Sequence, residues 1–503
     1  MSEIRRGAML SYATILIVNL SGLLLTPAII RGLGNAEYGL YMLIGSLAAY
    51  LGVLDFGLNN AVTRFVAQCA ARGDRSQESR FLGAALVVNA IAVAAIIAVG
   101  AVLYAQLPAL FSSTLTPEAL TQARLMLVLL LANVVVTITG SFFTAISAGH
   151  ERFTFSKSVN IARYVLRIAL VLLLLAEGAG AVALVALDLA LSVCVLVANA
   201  IYARGALGAR FAWRPLDPVL IREVIAFSAW VFLFAIIGQF QWQTGQVVIG
   251  ATQGPEQVAV YAVGILLGTY YGAFSNAITA LFMPRATRLA EAKADAVRLN
   301  SELAKIGRIA LWVLLLILGG FSCFGREFIL LWAGADYAAA WKVAIIIMLA
   351  YTIPLSQSFA NQLLEAKGLF AFKTKVYLAA LPAGITLGYL WIQSAGVTGM
   401  ALGIAVGWAL AVLVMNVYYH RALGLDIPGF FKAMARGLLP VFVACLALGA
   451  LLNGLPGEGW SILIVRSAFF TAVYAGLAYR VGMNASERHE VRHLLRRFKW
   501  TNA

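Results

Sequence analysis

The 503 residues are 62% hydrophobic and only 12% charged, with a net charge of +15. Soluble globular chains are nearer half apolar and a quarter charged, so this composition excludes a soluble domain and requires most of the surface to face lipid. The basic excess then reads as cytoplasmic loops lying against anionic phospholipid, not as a nucleic-acid surface.

Crossing a ~30 Å hydrocarbon core takes about 20 helical residues, and the apolar runs predict about fourteen such spans. The first, 9–31, follows Arg5 and Arg6 and contains Pro27. It is too long for the core of a signal peptide and lacks a small-residue cleavage site. Span two, 38–63, holds Asp55 near its middle and ends beside Arg64. Spans 81–105 and 122–148 follow. Span five, 158–176, places Ser156, Asn160, Arg163 and Arg167 at steps of four, three and four, on one helical face. Span six, 180–203, opens after Gly178 and Gly180 and carries Asp188.

Span seven, 225–250, reads Gln239-Phe240-Gln241-Trp242-Gln243-Thr244-Gly245-Gln246, with Gln239, Gln243 and Gln246 on one face. Span eight, 257–283, adds Tyr270, Tyr271, Ser275 and Asn276, with Arg285 at its end. Spans 304–325, 339–365, 374–393 and 397–420 follow, the last with Gly399, Gly403 and Gly407 on one close-packing face. Spans 432–452 and 461–480 close the membrane part. In the tail, Ser486 is the expected N-cap of an amphipathic helix, with Glu487 and Glu490 in its first turn. The same tail contains His489-Glu490-Val491-Arg492-His493, which matches a zinc-protease pattern but lacks a third ligand and a catalytic domain around it. No metal and no cofactor are expected, and the four scattered cysteines are read as apolar fillers.

All but five of the 37 Lys and Arg residues then fall on one side, the exceptions being Arg31, Arg124, Arg326, Lys342 and Arg466. That side is cytoplasmic and holds both termini. The chain also repeats. Leu196, Val197, Asn199, Tyr202 and Arg204 recur 217 residues later as Leu413, Val414, Asn416, Tyr419 and Arg421. Tyr41, Tyr50 and Gly52 recur at 220 as Tyr261, Tyr270 and Gly272. Six spans per repeat is even, so the halves are parallel, an arrangement that transporters use with the substrate path between halves.

The N-terminal residues Gly7, Pro27-Ala28-Ile29-Ile30-Arg31-Gly32-Leu33-Gly34, Glu37-Tyr38-Gly39-Leu40-Tyr41, Leu54-Asp55-Phe56-Gly57-Leu58 and Arg64 resemble the polysaccharide-transport branch of the MOP (MATE-like) exporter superfamily, the Wzx-type oligosaccharide flippases. The resemblance implies an all-α polytopic protein built as two six-helix bundles around a central cavity. These would be 1–210 and 211–425, with two additional helices at 426–484 and a basic amphipathic cytoplasmic tail at 485–503. It implies movement of an undecaprenyl-diphosphate-linked oligosaccharide to the outer leaflet of a bacterial inner membrane, beside other membrane proteins of polysaccharide assembly.

Such a cargo needs cations for the diphosphate, and Arg64, Arg163, Arg167 and Arg285 are the candidates. The alternative for each is a side chain snorkelling to the cytoplasmic surface. Amides and aromatic faces suit the sugar, which points to Gln239, Trp242, Gln243, Gln246, Tyr270, Tyr271 and Asn276, or else to hydrogen bonds that hold helices together. Asp55 and Asp188 are candidates for H⁺ or Na⁺ coupling, or structural partners of nearby donors. Competing readings are a MATE-like drug/cation antiporter and a membrane enzyme of polysaccharide assembly, a polymerase or ligase. The arginines and the extra two spans argue against the first. The absence of a large outer loop in the predicted span pattern argues against the second.

Overall fold

The computed structural model describes residues 3–55, 57–212, 218–279, 288–289, 295–485 and 487–489; the side chains of 3–9, 11–13, 15–16, 55, 218–235, 275–279 and 370 lie outside the description. The described residues are all-helical: α1 Glu3–Gly52, α2 Leu58–Arg72, α3 Arg75–Phe111, α4 Pro117–Gly149, α5 Phe153–Ala176, α6 Ala181–Gly205, α7 Pro218–Gln253 and α8 Pro255–Thr279. After these come α9 Ala296–Trp332, α10 Ala340–Ser356, α11 Ser358–Ala366, α12 Phe370–Leu423, α13 Ile427–Asn453 and α14 Trp460–Leu477.

Eleven stretches among the described residues are long and apolar enough to cross a membrane. Two of them each hold two expected spans, joined where the backbone leaves helical geometry at Gly34 in α1 and at Gly396 in α12. With α7, these account for the expected number.

The chain divides by its own packing into Met1–Ala262 and Val263–Ala503, the division falling inside α8. In the first unit α4 lies along α6 and also meets α2 and α3, α1 lies along α5, and α7 packs on α1 and α3. Its buried cluster joins Val62 and Val66 of α2, Phe81 and Leu82 of α3, and Phe142 and Ile146 of α4. In the second unit α9 is the centre, packed on α10, α13 and α14, while α10 packs on α12. Large apolar side chains stay exposed on outer faces, such as Val165, Leu166, Leu172 and Leu173 of α5, as a lipid-facing helix requires. Helices in lipid associate through close approach and hydrogen bonds. The two halves of α12 do so: a Cβ on Gly403 would strike the Gly388 backbone, and one on Gly407 would strike Gly384.

The repeat is visible in local geometry. Gly34 (φ 75°) and Gly254 (φ 87°) both take left-handed conformations, 220 residues apart, immediately before the second and eighth spans. A side chain at either position would be strained, so glycine sets both turns. Phe155 stacks on Tyr202 at 4.1 Å in the first unit, and Phe372, 217 residues after Phe155, stacks on Tyr418 at 4.0 Å in the second. Asn199 accepts from Ser156 Oγ (2.8 Å), and its repeat mate Asn416 accepts from Gln357 Nε2 (2.7 Å).

Four expectations are corrected. Span two does not run unbroken to residue 63: the helix ends at Gly52, a single tight turn covers Val53–Asp55, Gly57 turns left-handed (φ 65°), and α2 starts afresh. Span ten stops at Ser356, two residues after Pro354, and α11 follows as a separate piece. Proline removes an N–H and crowds the preceding turn, which takes the usual donor from Ala350 O; after it, Ile353 O accepts from both Gln357 N (3.1 Å) and Ser356 Oγ (2.8 Å) as the helix ends. Span thirteen breaks at Arg436 and Gly437 (φ 85°), ahead of Pro440. In the tail, Asn484 is the cap: its Oδ1 accepts from Glu487 N and its own N donates to Glu487 Oε2, both at 2.9 Å, a reciprocal capping box. Ser486 and residues 490–503 lie outside the described residues.

Candidate functional site

The hairpin of α5 and α6 carries a polar seam. Each step back along α5, from Arg167 to Arg163 to Ser156, is matched by an equal step forward along α6, from Asp188 to Ser192 to Asn199, as two antiparallel helices demand. Arg167 Nε donates to Asp188 Oδ1 at 2.5 Å and its Nη2 donates to Asp188 Oδ2 at 2.9 Å, a two-pronged ion pair. The same Nη2 reaches Tyr41 Oη at 3.5 Å. One turn earlier, Arg163 Nη2 donates to Ser192 Oγ at 3.1 Å, and Ser192 Oγ donates to Asp188 O at 2.8 Å. An arginine facing lipid near a helix centre costs about 3 kcal/mol on insertion scales. The seam removes that cost by turning the whole polar face of α5 toward α6.

Arg163 differs from Arg167 in what surrounds it. Among the described residues it has no carboxylate partner, and its Nε is buried without a hydrogen-bond acceptor. It lines a cavity of about 320 Å³ walled by α2, α4, α5 and α6. The polar part of the wall is hydroxyl and amide, Asn59, Asn60 and Thr63 from α2, Thr137, Ser141 and Thr144 from α4, Asn160 from α5 and Ser192 from α6, and Val136, Ala145, Ala148, Val195 and Leu196 make up an apolar part. Several of these are oriented by bonds of their own, Asn59 Nδ2 to Ser141 Oγ (2.9 Å), Ser141 Oγ to Ile138 O (2.7 Å) and Asn160 Nδ2 to Ser156 O (2.9 Å). Among the described residues the cavity thus offers one cation without a carboxylate partner, near the Tyr164 ring and beside neutral donors and acceptors, which suits an anionic, hydroxyl-rich ligand.

The other expected site residues are scattered. Arg64 is exposed on α2, next to Thr63 but outside the cavity wall. Asp55 closes the turn before α2 and its side chain is not described; Arg285 lies outside the described residues, and of Asn276 only the backbone, in α8, is described. On α7, Gln239, Trp242 and Gln243 are half-buried, while Gln246 is buried and donates to Gln243 Oε1 at 3.4 Å, its own Oε1 having no partner. Thr244 bonds Tyr50 of α1, whose ring meets Phe240 edge-on. Tyr270 is half-buried, and Tyr271 is buried and bonded to Thr352 of α10 at 2.6 Å. Among the described residues no three His, Cys, Asp or Glu side chains are placed to hold a metal ion.

The N-terminal motif has structural work. Glu37 Oε1 accepts from Ala181 N at 2.7 Å and so caps α6, Gly39 admits the Pro255 backbone, and Tyr41 meets Arg167. Of the five arginine and lysine exceptions, Arg466 is buried and donates to Leu455 O (2.5 Å) and Gly457 O (3.2 Å) beside Glu327, and Arg124 lies over the Tyr104 ring.

A family model described as "Polysaccharide biosynthesis protein" matches residues 4–290. The chain is 23% identical over 499 residues to the "Uncharacterized membrane protein EpsK" of Bacillus subtilis (strain 168), covering 95% of this chain and 94% of that one. Among solved structures, "Lipid II flippase MurJ, inward closed conformation" matches with a TM-score of 0.69 at 15% identity, over 94% of this chain and 99% of that one. An inward-facing multidrug resistance MATE family transporter of the MOP superfamily matches with a TM-score of 0.66 at 14% identity, over 86% and 99%. These two likenesses fix the fold.

Proposed function

The chain belongs to the polysaccharide biosynthesis protein family, and from that premise we propose that it flips an undecaprenyl-diphosphate-linked oligosaccharide from the cytoplasmic to the outer leaflet of a bacterial inner membrane. The observation that carries this reading is Arg163, a cation with a buried donor and no carboxylate partner among the described residues, in a cavity it shares with eight hydroxyl and amide side chains. A diphosphate supplies the missing charge and acceptors, since guanidinium and phosphate oxygens form short charge-assisted bonds. Sugar hydroxyls match Asn59, Asn160, Ser141 and Thr144, while the polyprenyl tail stays with lipid outside.

No bond of the cargo is made or broken, so the protein acts as a transporter and not as an enzyme. Alternating access between the repeat halves 1–210 and 211–425 would carry the head group across. Arg167 is then the strut that holds α5 to α6 and positions Arg163, with Asp188 as its counter-charge. If H⁺ or Na⁺ drives the cycle through Asp188, that ion must replace Arg167. The orientation with both termini cytoplasmic follows the positive-inside distribution.

A photo-crosslinking amino acid at Thr144, in the cavity wall, tests the reading against one at Leu173, exposed on the outer face of α5. With a radiolabelled sugar on undecaprenyl diphosphate, label should transfer to position 144 and be competed by unlabelled lipid-linked sugar. Label at position 173 alone would count against the cavity as the head-group site.

A further inference from the structure

A second basic cavity lies in the second unit, walled by the starts of α9 and α13 and by residues 481–484 and 487. It measures about 700 Å³ and is lined by Lys305, Arg308, Lys432 and Arg436, with Glu487 as the lining carboxylate among the described residues. Glu487 is fully engaged: Arg308 Nε meets its Oε1 at 2.5 Å and Arg308 Nη2 meets its Oε2 at 3.2 Å. Arg308 is engaged as well. It donates to Arg436 O and Gly482 O, both at 2.9 Å, and to Ala433 O. Of these, Ala433 O loses its usual intrahelical donor at the break over Arg436 and Gly437, and Arg436 O has none because Pro440 carries no N–H. The Arg308–Glu487 pair is therefore a neutral clasp, and the charges on Lys432 and Arg436 are left without a carboxylate partner among the described residues.

The position of these charges selects their ligand. Lys432 and Arg436 are exposed and stand on the α13 segment before the break, beside exposed Phe431; beyond the break the helix is apolar, with Leu439 and Val443 exposed to lipid. A basic pocket at the foot of an apolar span, with an aromatic at the same level, sits at head-group height. We propose that this cavity binds a phosphate group, and that its source is the head group of an anionic phospholipid. The site is independent of the flippase reading: it shares no residue with the Arg163 cavity and needs no cargo.

The test uses the full-length protein in nanodiscs and in detergent. The variant Lys432→Gln/Arg436→Gln removes both charges and leaves the clasp intact, because Arg436 serves it through its backbone carbonyl. A control, Arg72→Gln/Arg421→Gln, removes two exposed charges elsewhere. Retention of phosphatidylglycerol against phosphatidylcholine is read by native mass spectrometry, and protection by inorganic phosphate by thermal unfolding. Two surface cations at about fivefold each predict roughly a twenty-fivefold weaker retention of phosphatidylglycerol in the variant, with the control like wild type. Equal retention by wild type and variant overturns the site. A loss as large in the control overturns it too, since net charge alone would then explain the binding. Protection by inorganic phosphate without selective retention of phosphatidylglycerol keeps the phosphate site and overturns its assignment to lipid.

Discussion

Replacing Asp188 by asparagine should weaken the first unit in a way that a second substitution repairs. Asparagine keeps the shape of aspartate but presents one neutral acceptor where Arg167 now has two charged ones, at 2.5 and 2.9 Å. Breaking a fully buried pair costs about 3–5 kcal/mol, and an exposed pair contributes about 0–1 kcal/mol. The side chains of Arg167 and Asp188 are 22% and 16% exposed, which places the cost between these, at about 2 kcal/mol. Arg167→Gln should cost a similar amount, because it strands the carboxylate. The double variant restores a neutral, hydrogen-bonded pair and should recover most of the loss, a coupling of about 1–3 kcal/mol. Thermal unfolding of the detergent-purified protein, followed by fluorescence-detected size exclusion, ranks the four proteins. If the double variant melts as low as the two losses added together, the pair is not interacting and the account of the α5–α6 seam is wrong.

Three further outcomes follow from the packing. Gly403→Val places a side chain on the Gly388 backbone and should cost about 1–3 kcal/mol by overpacking, read as a lower melting temperature, whereas Leu402→Ala, on the exposed face of the same helix, should change melting little; equal melting of the two variants would refute the close contact. Glu37→Ala removes the acceptor on Ala181 N and should lower stability by about 1 kcal/mol; hydrogen exchange at the start of α6 should rise, and unchanged exchange there would refute the cap. Glu487→Gln leaves Arg308 charged among carbonyls and should release the segment after Asn484 to protease; resistance equal to wild type would show that the clasp does not hold the tail.

Much of this fold was legible in the sequence, because hydropathy is a strong, local signal for helices that cross a membrane. The glycine at 178 marked the turn that the structure places there. The breaks inside expected spans were less legible: in the run Tyr50–Arg64 the few polar residues around the turn are too few to interrupt the hydropathy of the span, so hydropathy does not show Gly57 turning the chain. That is why Asn59, Asn60 and Thr63, which wall the cavity from α2, were not singled out. The pairing of Arg167 with Asp188 was available from register, since both stand equally far from the hairpin turn near Gly178, and Phe155 and Phe372 carried the repeat unnoticed. Arg308 and Glu487 are 179 residues apart, and no periodicity links residues at that distance.

The central claim is that Arg163 receives the diphosphate, and a leaflet-translocation assay tests it most directly. Wild type, Arg163→Lys and Arg163→Ala are placed in proteoliposomes with a fluorescent undecaprenyl-diphosphate oligosaccharide, and outward-facing sugar is read with an added glycosidase. Loss of a charged hydrogen bond to a ligand is worth about 1.5–3 kcal/mol, so Arg163→Ala should weaken apparent affinity roughly ten- to hundredfold, with Arg163→Lys between it and wild type. Translocation by folded Arg163→Ala at the wild-type rate and affinity would contradict the account.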